Sequence, residues 1–354
     1  MCGVYLSRLA SLDLSYCRGV SDSGLLPLLL ARDLSGAPDP RFGQCRGLKR
    51  LKVGGCQDIS PALSVRQALL SLPGLELLDH PETVSVIHSL DLQGSLATSL
   101  GLRSLHSGLE SSEESLAVAC RAAVRAEHVF TVLHPAQPPH CLLALLDLQT
   151  LRELHVREEN SGEGGEALGP LLAPVLSRHG ETLVSLNIAE CGDLSLAVIC
   201  SACPALIHLA LLWNKNYLSS HSDSQFFPAL RTAVFAFRPE DDGENYVQRQ
   251  MSSSDLSLVL GSSSLLSLKL GQSQHLTDQL FTTVYCSNPM ENLQSLELDQ
   301  CHNISLECLE PLLENHNSLE NCSFIKCEQI TRRDIQRYQK KVNKLKWNMN
   351  INWS

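Results

Sequence analysis

Leucines recur along this chain with two alternating spacings. In "LASLDLSYCRGVSDSGLLPLLL", Leu9, Leu12 and Leu14 follow L-x-x-L-x-L, and Cys17 comes shortly after. The alternation at Leu12 and Leu14 predicts a short strand with one apolar face. Leu25, Leu28 and Leu29 then fall at helical spacing. A strand and a helix that are each apolar on one side need a neighbour on both flanks. Such a pattern implies copies of itself elsewhere in the chain.

Copies are present. Leu48, Leu51, Val53 and Cys56 repeat the pattern; Leu151, Leu154 and Val156 repeat the strand; Leu183, Leu186, Ile188 and Cys191 make a near-complete copy. Leu206, Leu209 and Leu211 follow, with Asn214 where the cysteine stood, and then the weaker Leu230, Ala233 and Phe235. Leu265, Leu268 and Leu270 come next, then Leu293, Leu296, Leu298 and Cys301, then Leu319, Cys322, Phe324 and Cys327. Val342, Leu345 and Trp347 predict a last strand. From Leu183 to Leu206 is 23 residues and from Leu293 to Leu319 is 26, inside the roughly 20–29 residue period of leucine-rich repeats. The expected fold is α/β: one leucine-rich-repeat solenoid over residues 1–354, a horseshoe with a parallel concave sheet and convex helices.

Residues 79–147 predict coils of irregular length. "VIHSLDLQGS" is strand-like around Leu90 and Leu92, and "SSEESLAVACRAAVRAEH" is an amphipathic helix capped by Ser111 or Ser112. "VFTVLHPAQPPHC" predicts a strand running into a proline-broken loop. Glycine-, proline- and acid-rich stretches at about 35–47, 157–169 and 238–255 predict insertions that bulge from the solenoid.

Cys17, Cys56, Cys191, Cys301 and Cys327 share one offset with Asn214. A tight turn at the end of each strand leaves backbone groups pointing inward, and a small thiol or an amide can fill that corner and meet them. The cysteines are therefore expected as buried structural thiols.

Composition narrows the setting. The chain has 14 cysteines, yet no sustained apolar run precedes the repeats, and "GLLPLLLA" is too short to span a bilayer. Unpaired corner thiols then point to a reducing, cytoplasmic or nuclear location and to no membrane contact. A net charge of −10 and 5% aromatic residues argue against nucleic acid as a partner. The basic "RRDIQRYQKKVNKLK" is expected as the solvated face of a final helix rather than a phosphate-binding patch.

Catalytic chemistry finds no foothold. Cys200 and Cys203 have C-x-x-C spacing but no second pair at a zinc-like distance, and Cys203 leads into the next repeat. His179, His208 and His302 lack a carboxylate or cysteine at ligand spacing on the same element and are expected as surface or turn histidines. "SGEGGEALG" lacks the lysine of a phosphate-binding loop. The expectation is a non-enzyme without catalytic residues, cofactor or metal.

The informative residues alternate with the buried leucines and face the open side of the sheet. Glu153, His155 and Arg157 lie on one strand; Asn187, His208, Leu212 and Val234 follow on the next strands; Lys269, Glu297 and Asp299 come after them. Small apolar residues (Ala189, Ala210, Ala236) fill the middle, near Trp213 and Phe237. A central apolar patch with a charged rim suits a protein partner on the concave face.

The coil "LVSLNIAECGDLSLAVICSACPALIHLALL" resembles the cysteine-containing subclass of leucine-rich repeats, as do "SYCRGVSDSGL" and "IKCEQITRRDIQRY". This looks like the repeat region of F-box leucine-rich-repeat proteins. The resemblance implies a substrate-binding receptor subunit of a cullin–RING ubiquitin ligase, with a ligase adaptor as a further partner. The other expectation is a leucine-rich-repeat scaffold or regulatory protein unrelated to ubiquitin. Eight residues precede Leu9, too few for an F-box, so the expectation is a shortened form or a relative that lacks the box.

Overall fold

A computed structural model describes residues 8–30, 45–96, 99–108, 111–133, 139–158, 168–192, 194–214, 226–236, 251–314, 318–345 and 349–354. The chain divides into two compact units, Met1–Asn160 and Ser161–Ser354.

In the first unit, β1 (Ser11–Asp13), β2 (Arg50–Lys52) and β3 (Leu77–Asp79) form a parallel ladder with Leu12, Leu51 and Leu78 in register. Strands β4 (Ser104–Ser107), β5 (His128–Leu133) and β6 (Glu153–Glu158) form a second, aligning Leu105, Val129 and Leu154. Between them run α1 (Asp22–Leu29), a π-helical turn Pro61–Val65 that continues into α2 (Arg66–Ser71), α3 (Thr83–Leu92), α4 (Glu113–Ala122) and a 3-10 helix, Pro139–Asp147.

The second unit opens with α5 (Leu168–His179). Its parallel strands then pair in sequence order: β7 (Ser185–Ala189), β8 (His208–Leu212), β9 (Thr232–Ala236), β10 (Ser267–Gly271), β11 (Ser295–Asp299), β12 (Asn321–Ile325) and β13 (Asn350–Trp353). The register is one for one, so Leu186, Leu209, Ala233, Leu268, Leu296, Cys322 and Ile351 share a row. Helices α6 (Leu196–Ala202), α7 (Ser253–Leu260), α8 (Asp278–Ser287), α9 (Leu306–Glu314) and α10 (Arg332–Leu345) return the chain from one strand to the next. This is the leucine-rich-repeat solenoid fold, α/β, with parallel strands on one side and helices on the other. The inward strand side chains are buried throughout, as at Leu154, Leu186, Leu211, Leu270 and Leu298. Each contributes on the order of 1.5–3 kcal/mol by leaving water.

A repeated backbone device ends β1, β2, β7, β8, β10, β11 and β12. Tyr16, Glu190, Trp213, Gln272, Gln300 and Lys326 have φ of 59°, 63°, 54°, 57°, 53° and 49°, and Gly55 takes the same place at 74°. The N–H of the left-handed residue donates to the strand-end carbonyl of the next coil: Glu190 to Leu212 at 2.8 Å, Trp213 to Ala236 at 2.6 Å, Gln300 to Ile325 at 2.8 Å. A left-handed non-glycine residue costs about 1–2 kcal/mol, and a hydrogen bond offsets about half to all of that.

The left-handed step turns the following residue inward, and that residue is the corner cysteine or asparagine. Its side chain reaches the carbonyl of the third leucine position in the preceding coil. Cys56 Sγ donates to Leu14 O at 3.0 Å, Cys301 Sγ to Leu270 O at 3.5 Å, and Cys327 Sγ to Leu298 O at 3.5 Å. Asn214 Nδ2 makes the same bond to Ile188 O at 3.0 Å, and its Oδ1 accepts from the Cys191 N–H at 2.9 Å. Cys56, Cys191, Cys301 and Cys327 are buried, but Cys17, predicted to match them, is exposed. Among the described residues no strand precedes β1. Ser273 follows the left-handed Gln272 and is a further buried corner residue.

Other expectations shift. "VIHSLDLQGS" lies within and just beyond α3 rather than in a strand; Leu90 is buried on its inner face while Leu92 is 73% exposed. Val342 and Leu345 belong to α10, and the last strand is β13. The helix α4 is capped by Ser112, whose side chain accepts from the Ser115 N–H. The insertion bounds also move. Arg157 and Glu158 extend β6, while residues 159–167 lie outside the described residues, as do 31–44 and 237–250. Ser252 to Asp255 form a capping box at the start of α7.

Candidate functional site

Strand alternation gives each sheet an open face, and the register sets its rows. In the second unit the middle row runs Asn187, Ala210, Val234, Lys269, Glu297, Ser323. The next row runs Ala189, Leu212, Ala236, Gly271, Asp299, Ile325. His208 and Thr232 lie in the row below, after Ser185. The structure therefore brings Asn187, His208, Leu212, Val234, Lys269, Glu297 and Asp299 onto one face. Leu212 and Val234 sit among the alanines, and Lys269 Nζ closes one side with an ion pair to Glu297 at 2.6 Å. Beside that pair, Asp299 Oδ1 is buried without a hydrogen-bond partner among the described residues. Trp213, at its left-handed corner, is 44% exposed. Phe237 lies outside the described residues.

The first unit carries Glu153, His155 and Arg157 on β6, and its register places Phe130 opposite His155 and His128 opposite Glu153. His106 stacks on Phe130 with ring centroids 4.6 Å apart, and Phe130 stacks on His155 at 4.4 Å. Asp79 lies 3.5 Å from His106 Nδ1, and Glu153 lies 3.0 Å from His128 Nδ1. Burial holds the His106 imidazole below its ordinary range against the opposing pull of Asp79, and His155 adds to the depression. Burial lowers His155 as well, with Glu153 pulling the other way. His106 and Phe130 are not among the residues the leucine spacing selects. The signal is present as Leu102 and Leu105 at L-x-x-L, but Ser107 stands where the third leucine belongs.

Most of the described thiols are buried, with Cys17 and Cys286 exposed. Burial pushes Cys200 up to about 11 and Cys203, Cys301 and Cys322 up to about 12, which disfavours their thiolates. Among the described residues no group of His, Cys, Asp and Glu is placed to hold a metal ion, and no helix is long and apolar enough to cross a membrane. His208 is exposed and His302 half-buried in a turn 3.7 Å from Glu328, but His179 is buried in the last turn of α5. There its carbonyl accepts from Thr182 and Leu183, which folds the chain over it. The basic helix α10 is partly neutralised by α9: Arg337 pairs with Glu310 at 2.7 Å, and Lys341 pairs with Glu314.

No family model matches the chain, and no curated protein does. Among solved structures, the chain is similar to one from the crystal structure of the Rad7 and Elc1 complex in yeast. The identity is 18%, the likeness covers 94% of this chain and 88% of that chain, and the TM-score is 0.53. At that identity the likeness bears on the fold, which is shared over almost the whole of both chains.

Proposed function

We propose that this chain is a non-enzymatic protein-recognition module that takes its partner on the open face of its sheet. The observation that carries this is the in-register patch of the second unit. Ala210, Leu212, Val234 and Ala236 form an apolar centre, with His208, Asn187, the Lys269–Glu297 pair and Asp299 at its rim. An apolar centre that loses water and a polar rim that fixes orientation are the parts of a protein-binding surface. Glu153, His155 and Arg157 form a separate row of recognition residues on the open face of the first unit. Nucleic acid and membrane are not its targets.

The finer reading is a substrate-binding receptor subunit of a cullin–RING ubiquitin ligase, with the ligase adaptor as a second partner and a cytoplasmic or nuclear location. The cysteine-containing coils support it through their resemblance to F-box leucine-rich-repeat proteins. The likeness to a chain solved within a protein complex is in keeping with it.

Two measurements test these levels. Partners captured from cells by the tagged wild-type chain are compared with those captured by Leu212→Arg and Val234→Glu, with thermal melting of each variant. The expected result is loss of the partner by both variants at an unchanged melting temperature, because each places a charge in a surface that must be desolvated. Undiminished capture by both sinks the site, and a large fall in melting temperature makes the side chains core. Recovery of cullin and RING subunits with the wild-type chain is expected for the finer reading; their consistent absence overturns it and leaves the scaffold.

A further inference from the structure

We infer that the open face of the first unit is an acid-releasable docking surface, whose occupant is a partner-protein segment presenting an arginine to Asp79 beside the His106–Phe130–His155 stack. This rests on the reading above only in taking the open face as the recognition face.

The charge arrangement carries the inference. Asp79 and Glu153 each have an imidazole as their ion-pair neighbour, His106 and His128, where a lysine or arginine would settle the charge outright. Lys52 is next to Asp79 in register but makes its ion pair with Asp13, at 3.7 Å. The Asp79 side chain is 32% exposed, so a group from outside can reach it. Both faces of Phe130 are covered by imidazoles. A cation therefore cannot sit over that ring, and the carboxylate is what must receive it. A guanidinium suits this place, because its planar fork matches a carboxylate and it is held to its charge at any working pH.

The same geometry supplies the release. His106 faces Asp79 on β3, Lys52 on β2, His128 on β5 and His155 on β6, and its Nε2 lies 2.9 Å from Ser104 Oγ on its own strand. Of these only Asp79 favours a proton on His106, while burial, Lys52 and the two histidines oppose it. At neutral pH burial keeps the imidazole uncharged, and it does not compete with the partner for Asp79. When the solution turns acid, His106 takes a proton and becomes the cation of Asp79. The arriving guanidinium then loses its counter-charge and meets a like charge.

The test is a titration of the full chain with fluorescein-labelled hexa-arginine by fluorescence anisotropy, at physiological salt, at neutral pH and at one acid pH, the lowest at which the chain still melts as a folded protein. Wild type is expected to bind at neutral pH and to weaken about tenfold in acid. Asp79→Asn should show the weaker affinity at both values. His106→Gln should bind as wild type at neutral pH and keep that affinity in acid. Glu307→Gln on α9 is the control for general attraction to an acidic protein and should change nothing. Equal affinity of Asp79→Asn and wild type overturns the proposal, as does an equal loss in Glu307→Gln, or an acid loss that persists in His106→Gln. If Asp79→Asn melts early, the acid behaviour of His106→Gln decides alone. Leu212→Arg, run alongside, should titrate as wild type. A failure of the second-unit site appears only in partner capture, and a failure here only in the titration.

Discussion

The corner residue links each coil to the one before it, and its chemistry can be exchanged within limits. Cys301 is fully buried, and its thiol meets the Leu270 carbonyl; Asn214 meets the equivalent Ile188 carbonyl with an amide. Cys301→Asn should therefore fold with a melting temperature close to wild type. Cys301→Lys should lose on the order of 3–5 kcal/mol, since it forces a long charged side chain into a fully buried corner. Equal melting of the two variants in a calorimeter would refute the corner role. The left-handed residue just before the corner is a separate constraint. Only Gly55 among these positions is glycine. The others hold their strained φ because each N–H is fixed to the next coil.

Between elements, an acid in the first turn of one helix holds the cap of the next. Asp278 Oδ1 accepts the Ser305 N–H at 2.7 Å and Oδ2 accepts the Ser305 hydroxyl at 2.8 Å, while Ser305 Oγ in turn accepts from the Cys308 N–H. Asp22 does the same for the Ser60 N–H at 3.0 Å. Asp278→Ala should cost about 1–2 kcal/mol and lower the melting temperature by several degrees. Arg337→Ala breaks an ion pair from a side chain that is 65% exposed and should change it little. If both variants melt alike, the clamp is not structural. These elements also show where the repeat can be read from sequence. Coils with an intact L-x-x-L-x-L, such as those at Leu186 and Leu296, are plain. The third position is His80, Ser107 and Thr131 in three coils of the first unit, so a buried place reads as polar. His80 is accommodated there because its Nδ1 accepts from the Glu82 N–H. Ser107 hides β4 and, with it, His106. L-x-x-L is also one turn of a helix, which is why Val342 and Leu345 suggest a strand yet lie on α10. The open-face residues of β6 through β11 follow from alternation alone, since period two survives wherever the strand is recognised.

For the molecule as a whole, pH bears on stability through the buried imidazoles. His80, His106 and His155 all sit below their ordinary range in the folded chain, chiefly by burial. As pH falls below about 6.5, the unfolded chain takes up protons that the folded chain refuses, so stability is full above that point and declines below it. The melting temperature should drop between neutral pH and about pH 5, and His106→Gln with His155→Gln should flatten the drop; a level wild-type profile would contradict this. One further row in the first unit has a consequence of another kind. Lys49, Glu76, Arg103, Glu127 and Arg152 each stand one residue before a strand on consecutive coils, joined by backbone bonds from each N–H to the previous carbonyl. Lys49 pairs with Glu76 at 3.1 Å, Arg103 with Glu127 at 3.3 Å, and Arg152 with Glu127 at 3.9 Å. A protein made of look-alike coils risks stacking them out of turn as it emerges from the ribosome. Here the signs alternate, so leaving out one coil sets Lys49 against Arg103 and Glu76 against Glu127. Each such meeting costs about 1 kcal/mol even in water. The row is a parity check: correct neighbours attract, and every skipped neighbour repels.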